Sequence, residues 1–192
     1  MNGRALKSAP AEKSDPQTGS APIGLHGNEC ELACMRSHIC SPNTGHRALR
    51  KGRVSLPNQI YHVTTATKRR QPYFADPRAA HVACRCFENP ALLRDARMLA
   101  WVLMPDHAHW LIELGEIWTL QRLVGLLKTF SARNVIRAFE CRGPIWAPAF
   151  HDHVLRDEDD IPNVARYIVA NSVRAGLVGR VGDYPYWNSA FL

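Results

Sequence analysis

The segment Trp101-Val102-Leu103-Met104-Pro105-Asp106-His107-Ala108-His109-Trp110-Leu111-Ile112-Glu113-Leu114 leaves a chain few ways to fold. Strand side chains alternate between faces, so His107 and His109 point one way while Ala108, Trp110, Ile112 and Leu114 point the other. The second set is apolar and suits a core. The first puts two imidazoles on one face, about 6–7 Å apart along the strand, where both can converge on one cation. Met98 to Leu114 therefore reads as a β region, interrupted or bent at Met104-Pro105-Asp106. Taken alone, a His-x-His pair is more often two satisfied histidines on an amphipathic strand, because a metal usually takes three or more ligands. A rival pair, His151-Asp152-His153, stands beside Phe150 and Val154, and spacing does not choose between them.

The flanking segments alternate in type. Gln59 to Thr67 is short and β-rich, and Lys68, Arg69 and Arg70 follow it as a basic turn. Asp76-Pro77 supplies an N-cap and a proline at the first helical position, which predicts a helix to about Glu88. From Ile117 to Phe139, Leu120, Leu123, Val124, Leu127 and Phe130 mark one helical face, with Arg122, Lys128, Arg133 and Arg137 on the others. Cys141-Arg142-Gly143-Pro144 breaks that pattern, and a β-like stretch follows around Ala149 to Leu155. Trp110, Trp118 and Trp146 can stack on bases, but core packing is the favoured duty for each.

A last helix begins at Asp159-Asp160-Ile161-Pro162 and stops near Gly176. Ile161, Val164, Ala165, Ile168 and Val169 form its buried stripe. Tyr167, Asn171 and Arg174 fall at i, i+4 and i+7 along another face. A phenol can attack a phosphodiester, an amide oxygen one turn on can complete a two-histidine metal site, and an arginine can contact a neighbouring phosphate. The plain alternative is a tyrosine half-buried by its ring and an asparagine near a helix end.

Composition narrows the partner. Lys and Arg outnumber Asp and Glu by 24 to 17, a net charge of +7, which favours an anionic partner such as nucleic acid. No apolar run reaches the roughly 18–20 residues of a membrane span, and Met1 to Ser20 lacks a signal-peptide apolar core. The six cysteines show no tight disulfide framework, so a cytoplasmic protein is expected. Residues 1–52 read as a flexible extension and 53–192 as the folded domain. The extension carries Cys30, Cys34, His38 and Cys40, which read more simply as free thiols on a helical turn than as a zinc site.

Several of these segments together resemble the Y1 single-tyrosine transposases of the HUH superfamily, the IS200-like family, and within it the REP-associated tyrosine transposases. The resemblance rests on Met104 to His109, Leu127-Lys128, Trp146, Phe150 to Arg156, Tyr167 to Asn171, Val173 to Val178 and Asp183-Tyr184-Pro185, in order over roughly 53–192. It implies an α+β fold, a ferredoxin-like antiparallel sheet of about five strands with packed helices, the histidine pair on a central strand and the tyrosine on a late helix. It also implies that His107, His109 and Asn171 bind Mg²⁺ or Mn²⁺ and that Tyr167 is the nucleophile, leaving a 5′-phosphotyrosine and a free 3′-hydroxyl. The substrate so implied is single-stranded DNA with imperfect hairpins such as repetitive extragenic palindromes. His151 and His153 then fall on a strand given to structure or DNA contact. Two positions depart from the family pattern: Ser172 follows Asn171 where a proline is usual, and Ala147 follows Trp146 where a glutamine is common.

On this reading the phosphates are gripped by Lys68, Arg69, Arg70, Arg122, Lys128, Arg133 and Arg174. The protein is expected to nick and transfer strands as a monomer or homodimer, away from any membrane. Two other readings stand beside it: a domesticated hairpin-binding protein that does not cut, and a zinc hydrolase built on the histidine pair.

Overall fold

The computed structural model describes residues 55–140, 143–156 and 160–192. The extension 1–52, with Cys30, Cys34, His38 and Cys40, lies outside the described residues. The strands are β1 (Ile60–Ala66), β2 (Arg97–Met104), β3 (His107–Glu113), β4 (His151–Val154) and β5 (Trp187–Ser189). They form one antiparallel sheet in the spatial order β4-β1-β3-β2-β5, which puts β3 at its centre. The helices are α1 (Pro77–Cys84), α2 (Pro90–Leu93), α3 (Leu120–Phe139), α4 (Ile161–Val169) and α5 (Asn171–Arg174).

The alternation of β3 does what its sequence requires. Ala108, Trp110 and Ile112 are fully buried on one face, against Leu123, Val124 and Leu127 of α3 and the alanines of α1. Each aliphatic side chain so buried contributes about 1.5–3 kcal/mol relative to exposure. On the opposite face, Ala100, Val102, Met104 and Leu111 pack against Ala165 and Ile168 of α4. Helices thus cover both sides of the sheet, and α4 covers the side that carries the histidines.

Local signals explain the ends of the elements. Asp76 caps α1 by accepting from the Arg78 backbone N–H at 2.8 Å, and Asp160 caps α4 by accepting from that of Asn163 at 3.2 Å. Gly176, at φ 69°, ends the last turn in left-handed backbone, and the Leu177 N–H returns to the Ser172 carbonyl at 3.0 Å. Tyr184 is buried and donates its hydroxyl to the Leu103 carbonyl at 2.6 Å, tying the C-terminal segment to β2.

The β region from Met98 to Leu114 is interrupted rather than bent: Met104 pairs with His107, and Pro105 and Asp106 alone turn a hairpin. Two expectations need correction. α1 ends at Cys84 rather than Glu88, because Asn89-Pro90 caps a new short helix. The tyrosine helix is not continuous, since Ala170, at ψ −3°, separates α4 from α5. β5 carries no sequence signal beyond three residues of an edge strand.

Candidate active site

Register decides which side chains meet. Across β1 and β3, Thr64 lies opposite His109 and Ala66 opposite His107. Across β1 and β4, His62 lies opposite His153 and Thr64 opposite His151. Cross-strand partners share a face, so His62, His107, His109, His151 and His153 all stand on the side that α4 covers. Both candidate pairs therefore belong to one surface, with the 107/109 pair at its centre and the 151/153 pair on the edge strand.

The central pair is held by its neighbours. The His107 and His109 rings meet edge to face, with centroids 5.0 Å apart. His107 Nδ1 lies 2.5 Å from Asp106 Oδ1, which fixes the ring and leaves Nε2 outward. His109 Nδ1 lies 3.0 Å from Thr64 Oγ1 and 3.2 Å from His62 Nε2. Burial, and then the charges of His107, His62, Arg70 and Arg174, push the His109 imidazole down to about 3. Burial and the His153 charge lower that of His62 as well. Both rings are accordingly neutral at neutral pH, the form in which an imidazole can ligate a cation. For Asp106, burial works upward, but the hydrogen bond and charge of His107, then those of Arg70, hold the carboxyl below its ordinary value.

Tyr167 stands beside this cluster. The residue is 51% exposed, unusual for a large aromatic on a helix whose neighbours Ala165, Ile168 and Val169 are buried. It shares a cavity of about 370 Å³ with His62, His153, Leu155, Asn163 and Val164. The Arg174 guanidinium lies over the ring, 4.1 Å from its centroid. The same guanidinium is also among the charges that lower the His109 value. Asn171 opens α5, which packs on β2. Its Nδ2 donates to the Tyr167 and Ile168 carbonyls at 3.2 and 2.9 Å, which orients the amide and leaves Oδ1 as the end that could ligate a cation.

Of the expected phosphate contacts, Arg70 reaches Asp106 beside His107 and Arg174 lies over Tyr167. Lys68, Arg69 and Arg70 form a 3₁₀ turn directly after β1, and Arg70 pairs with Asp106 at 3.3 Å. Arg122, Lys128 and Arg133 lie on α3, which packs on the other side of the sheet. Arg122 sits 5.9 Å from the Trp118 ring centroid. Lys128 has a structural tie: its ammonium donates to the carbonyls of Ala147, Pro148 and Ala149 at 2.5–3.3 Å. Trp110 and Trp146 are core residues, the latter donating its Nε1–H to Ser131 at 2.9 Å.

Among the described residues, no three His, Cys, Asp or Glu side chains are grouped to hold a metal ion. Any divalent cation at the pair must therefore take a different third donor. Two imidazoles and an oriented amide oxygen are chemically such a set, so the residues present fit the ion. His62, Thr64 and Asp106 are the site residues to which sequence reasoning assigns no role. Asp106 is visible beside His107, but His62 and Thr64 meet His109 only through the β1–β3 register.

Residues 55–171 match the family model described as Transposase IS200 like, and the chain belongs to that family. The REP-associated tyrosine transposase of Escherichia coli (strain K12) is 30% identical over 89 residues, covering 45% of this chain and 50% of that protein. A Haemophilus influenzae protein, provisionally named a REP-associated tyrosine transposase, is 33% identical over 100 residues, covering 46% of this chain and 56% of its own. The chain thus spans about half the length of the curated relatives it matches. The solved structure of a REP-associated tyrosine transposase bound to a REP hairpin superposes with a TM-score of 0.54 at 24% identity. It covers 70% of this chain and 79% of the other, and shows the same α+β fold. No described helix is long and apolar enough to cross a membrane.

Proposed function

We propose that the domain over 53–192 is a metal-dependent enzyme that nicks and transfers single-stranded DNA at hairpin-bearing, REP-like sequences through a 5′-phosphotyrosine. The observation that carries this reading is the half-exposed Tyr167, its ring under Arg174, on the same side of the sheet as His107 and His109. Family membership and the names of the relatives support it.

In the reaction, the Tyr167 phenol loses its proton to solvent and its oxygen attacks the phosphorus. The new bond joins tyrosine to the 5′-phosphate, the bond from phosphorus to the 3′ oxygen breaks, and that oxygen takes up a proton as the free 3′-hydroxyl. Arg174 sets a positive charge beside the attacked phosphate, and Arg70 is a second cation on the same approach. His107, His109 and Asn171 would hold Mg²⁺ or Mn²⁺, which when bound polarises a non-bridging phosphate oxygen. Asp106 keeps the His107 ring in the ligating orientation.

The test is to incubate the protein with Mn²⁺ and a labelled hairpin oligonucleotide and look for a covalent adduct on a denaturing gel. Wild type should form one and Tyr167→Phe should not, while still binding the DNA. Binding by folded wild type with no adduct on any palindromic strand would replace this reading with a non-cutting hairpin binder. Zinc-dependent hydrolysis that survives Tyr167→Phe would replace it with a zinc hydrolase.

A further inference from the structure

His62 is half-buried in the interior of β1 and reaches toward the histidine pair. Its Nε2 lies 3.2 Å from His109 Nδ1, and the two rings are tilted by 37° with centroids 5.3 Å apart. Thr64 lies directly opposite His109 and its hydroxyl is 3.0 Å from the same nitrogen. His62 is the diagonal neighbour one pleat further along the same face. Two polar atoms therefore converge on one ring nitrogen of His109, and both come from β1.

Chemistry says what this convergence can do. A neutral imidazole carries one proton, and it binds a cation through the nitrogen that lacks it. With His109 Nδ1 enclosed by protein atoms, Nε2 is the nitrogen left to ligate, and the proton must then sit on Nδ1. A hydrogen there needs an acceptor. The Thr64 hydroxyl can act as donor or acceptor, so it does not choose between the two forms by itself. An imidazole nitrogen without hydrogen accepts only, and His62 Nε2 in that state selects the form of His109 that ligates. Partners of this kind behind a metal-bound histidine typically govern affinity by about 10–100-fold.

We infer that His62 is a positioning residue for the metal pair: its Nε2 accepts the Nδ1–H of His109 and so keeps His109 Nε2 free to ligate. Asp106 does the same for His107 from the turn, so each member of the pair has a separate acceptor on a separate element. The inference rests on the proposed metal site but goes beyond its ligands, and it needs no contact between His62 and DNA.

The test uses the full chain, Mn²⁺ titrated calorimetrically, and the ¹⁵N shifts of histidine-labelled protein. Wild type should bind Mn²⁺, and in its metal-free form His109 should be protonated at Nδ1. His62→Phe, which fills the space without an acceptor, should weaken Mn²⁺ binding about 10–100-fold and shift the His109 proton population toward Nε2. His62→Gln, whose amide oxygen is an acceptor, should restore most of both. If His62→Phe is folded and binds Mn²⁺ within twofold of wild type, or if His109 keeps its Nδ1 proton in that variant, the inference is overturned. Should either variant fail to fold, the wild-type shifts decide: a metal-free His109 protonated at Nε2 overturns the inference without any substitution. Failure of the underlying reading looks different. Wild type would then not bind Mn²⁺, or would bind it as well after His107→Ala plus His109→Ala, and the positioning role would fall with the site.

Discussion

The Arg174 guanidinium lies 4.1 Å from the centre of the Tyr167 ring, although the two residues belong to different helices separated by the break at Ala170. A helix uninterrupted at that point would set the arginine by periodicity alone. Here the cation covers the phenol and also acts on His109.

Arg174→Ala should therefore slow adduct formation roughly a hundredfold, because it removes the charge proposed to sit beside the attacked phosphate. Arg174 is exposed, so the melting temperature should barely move. Single-turnover cleavage with the hairpin oligonucleotide, alongside thermal unfolding, checks both halves. Equal cleavage rates in wild type and variant would remove Arg174 from the reaction.

Asp106→Asn should weaken Mn²⁺ binding by about 10–100-fold while leaving the hairpin turn intact. The turn is held by backbone groups that the substitution spares, since the Asp106 carbonyl accepts from the Thr67 N–H at 2.8 Å and from its hydroxyl at 3.0 Å. Metal titration separates this from a folding defect, for which circular dichroism is the control.

Lys128→Met keeps the aliphatic stem and deletes the ammonium that gathers three carbonyls of the 147–149 loop. The expected cost is about 1–3 kcal/mol of stability, read from urea unfolding. If Lys128 served only to grip phosphates, stability would instead be unchanged and the salt dependence of DNA binding would become shallower.

Asp76→Ala should lower stability by about 1 kcal/mol at neutral pH through loss of the α1 cap. Chiefly the hydrogen bond from the Arg78 side chain holds the Asp76 carboxyl below its ordinary value, against a smaller opposing effect of burial. A depressed carboxyl stabilises the fold above its unfolded-state value and loses that contribution as pH falls through the folded-state value. The gap between wild type and variant in thermal unfolding should accordingly narrow in acid. A gap that widened in acid would contradict the cap.

Much of the site is legible in the sequence alone. Alternation along β3 puts His107 and His109 on one face and Trp110 in the core, because a strand has a period of two whatever its partners. Helical spacing likewise separates exposed Tyr167 from buried Ile168. What stays hidden is everything that depends on register. Nothing in Gln59 to Thr67 says that His62 will lie diagonal to His109, because that pairing joins residues far apart in sequence. Lys128 misleads for a related reason: a lysine on a polar helix face looks like a phosphate contact until a loop supplies it with carbonyls. The short β5 and α2 escape notice because three or four residues carry too little periodicity to detect.

The two-residue connection between β2 and β3 has a consequence for how such a site can vary. A strand shifted by one residue against its neighbours presents its other set of side chains. One residue inserted between Met104 and His107, with the pairing beyond it kept, needs a bulge in the new turn. Without one, His107 and His109 would face α3 and Trp110 would stand where the DNA is proposed to lie. The number of residues in this turn is therefore as constrained as the identity of Asp106 within it, and the length of the turn serves as the address of the histidine pair.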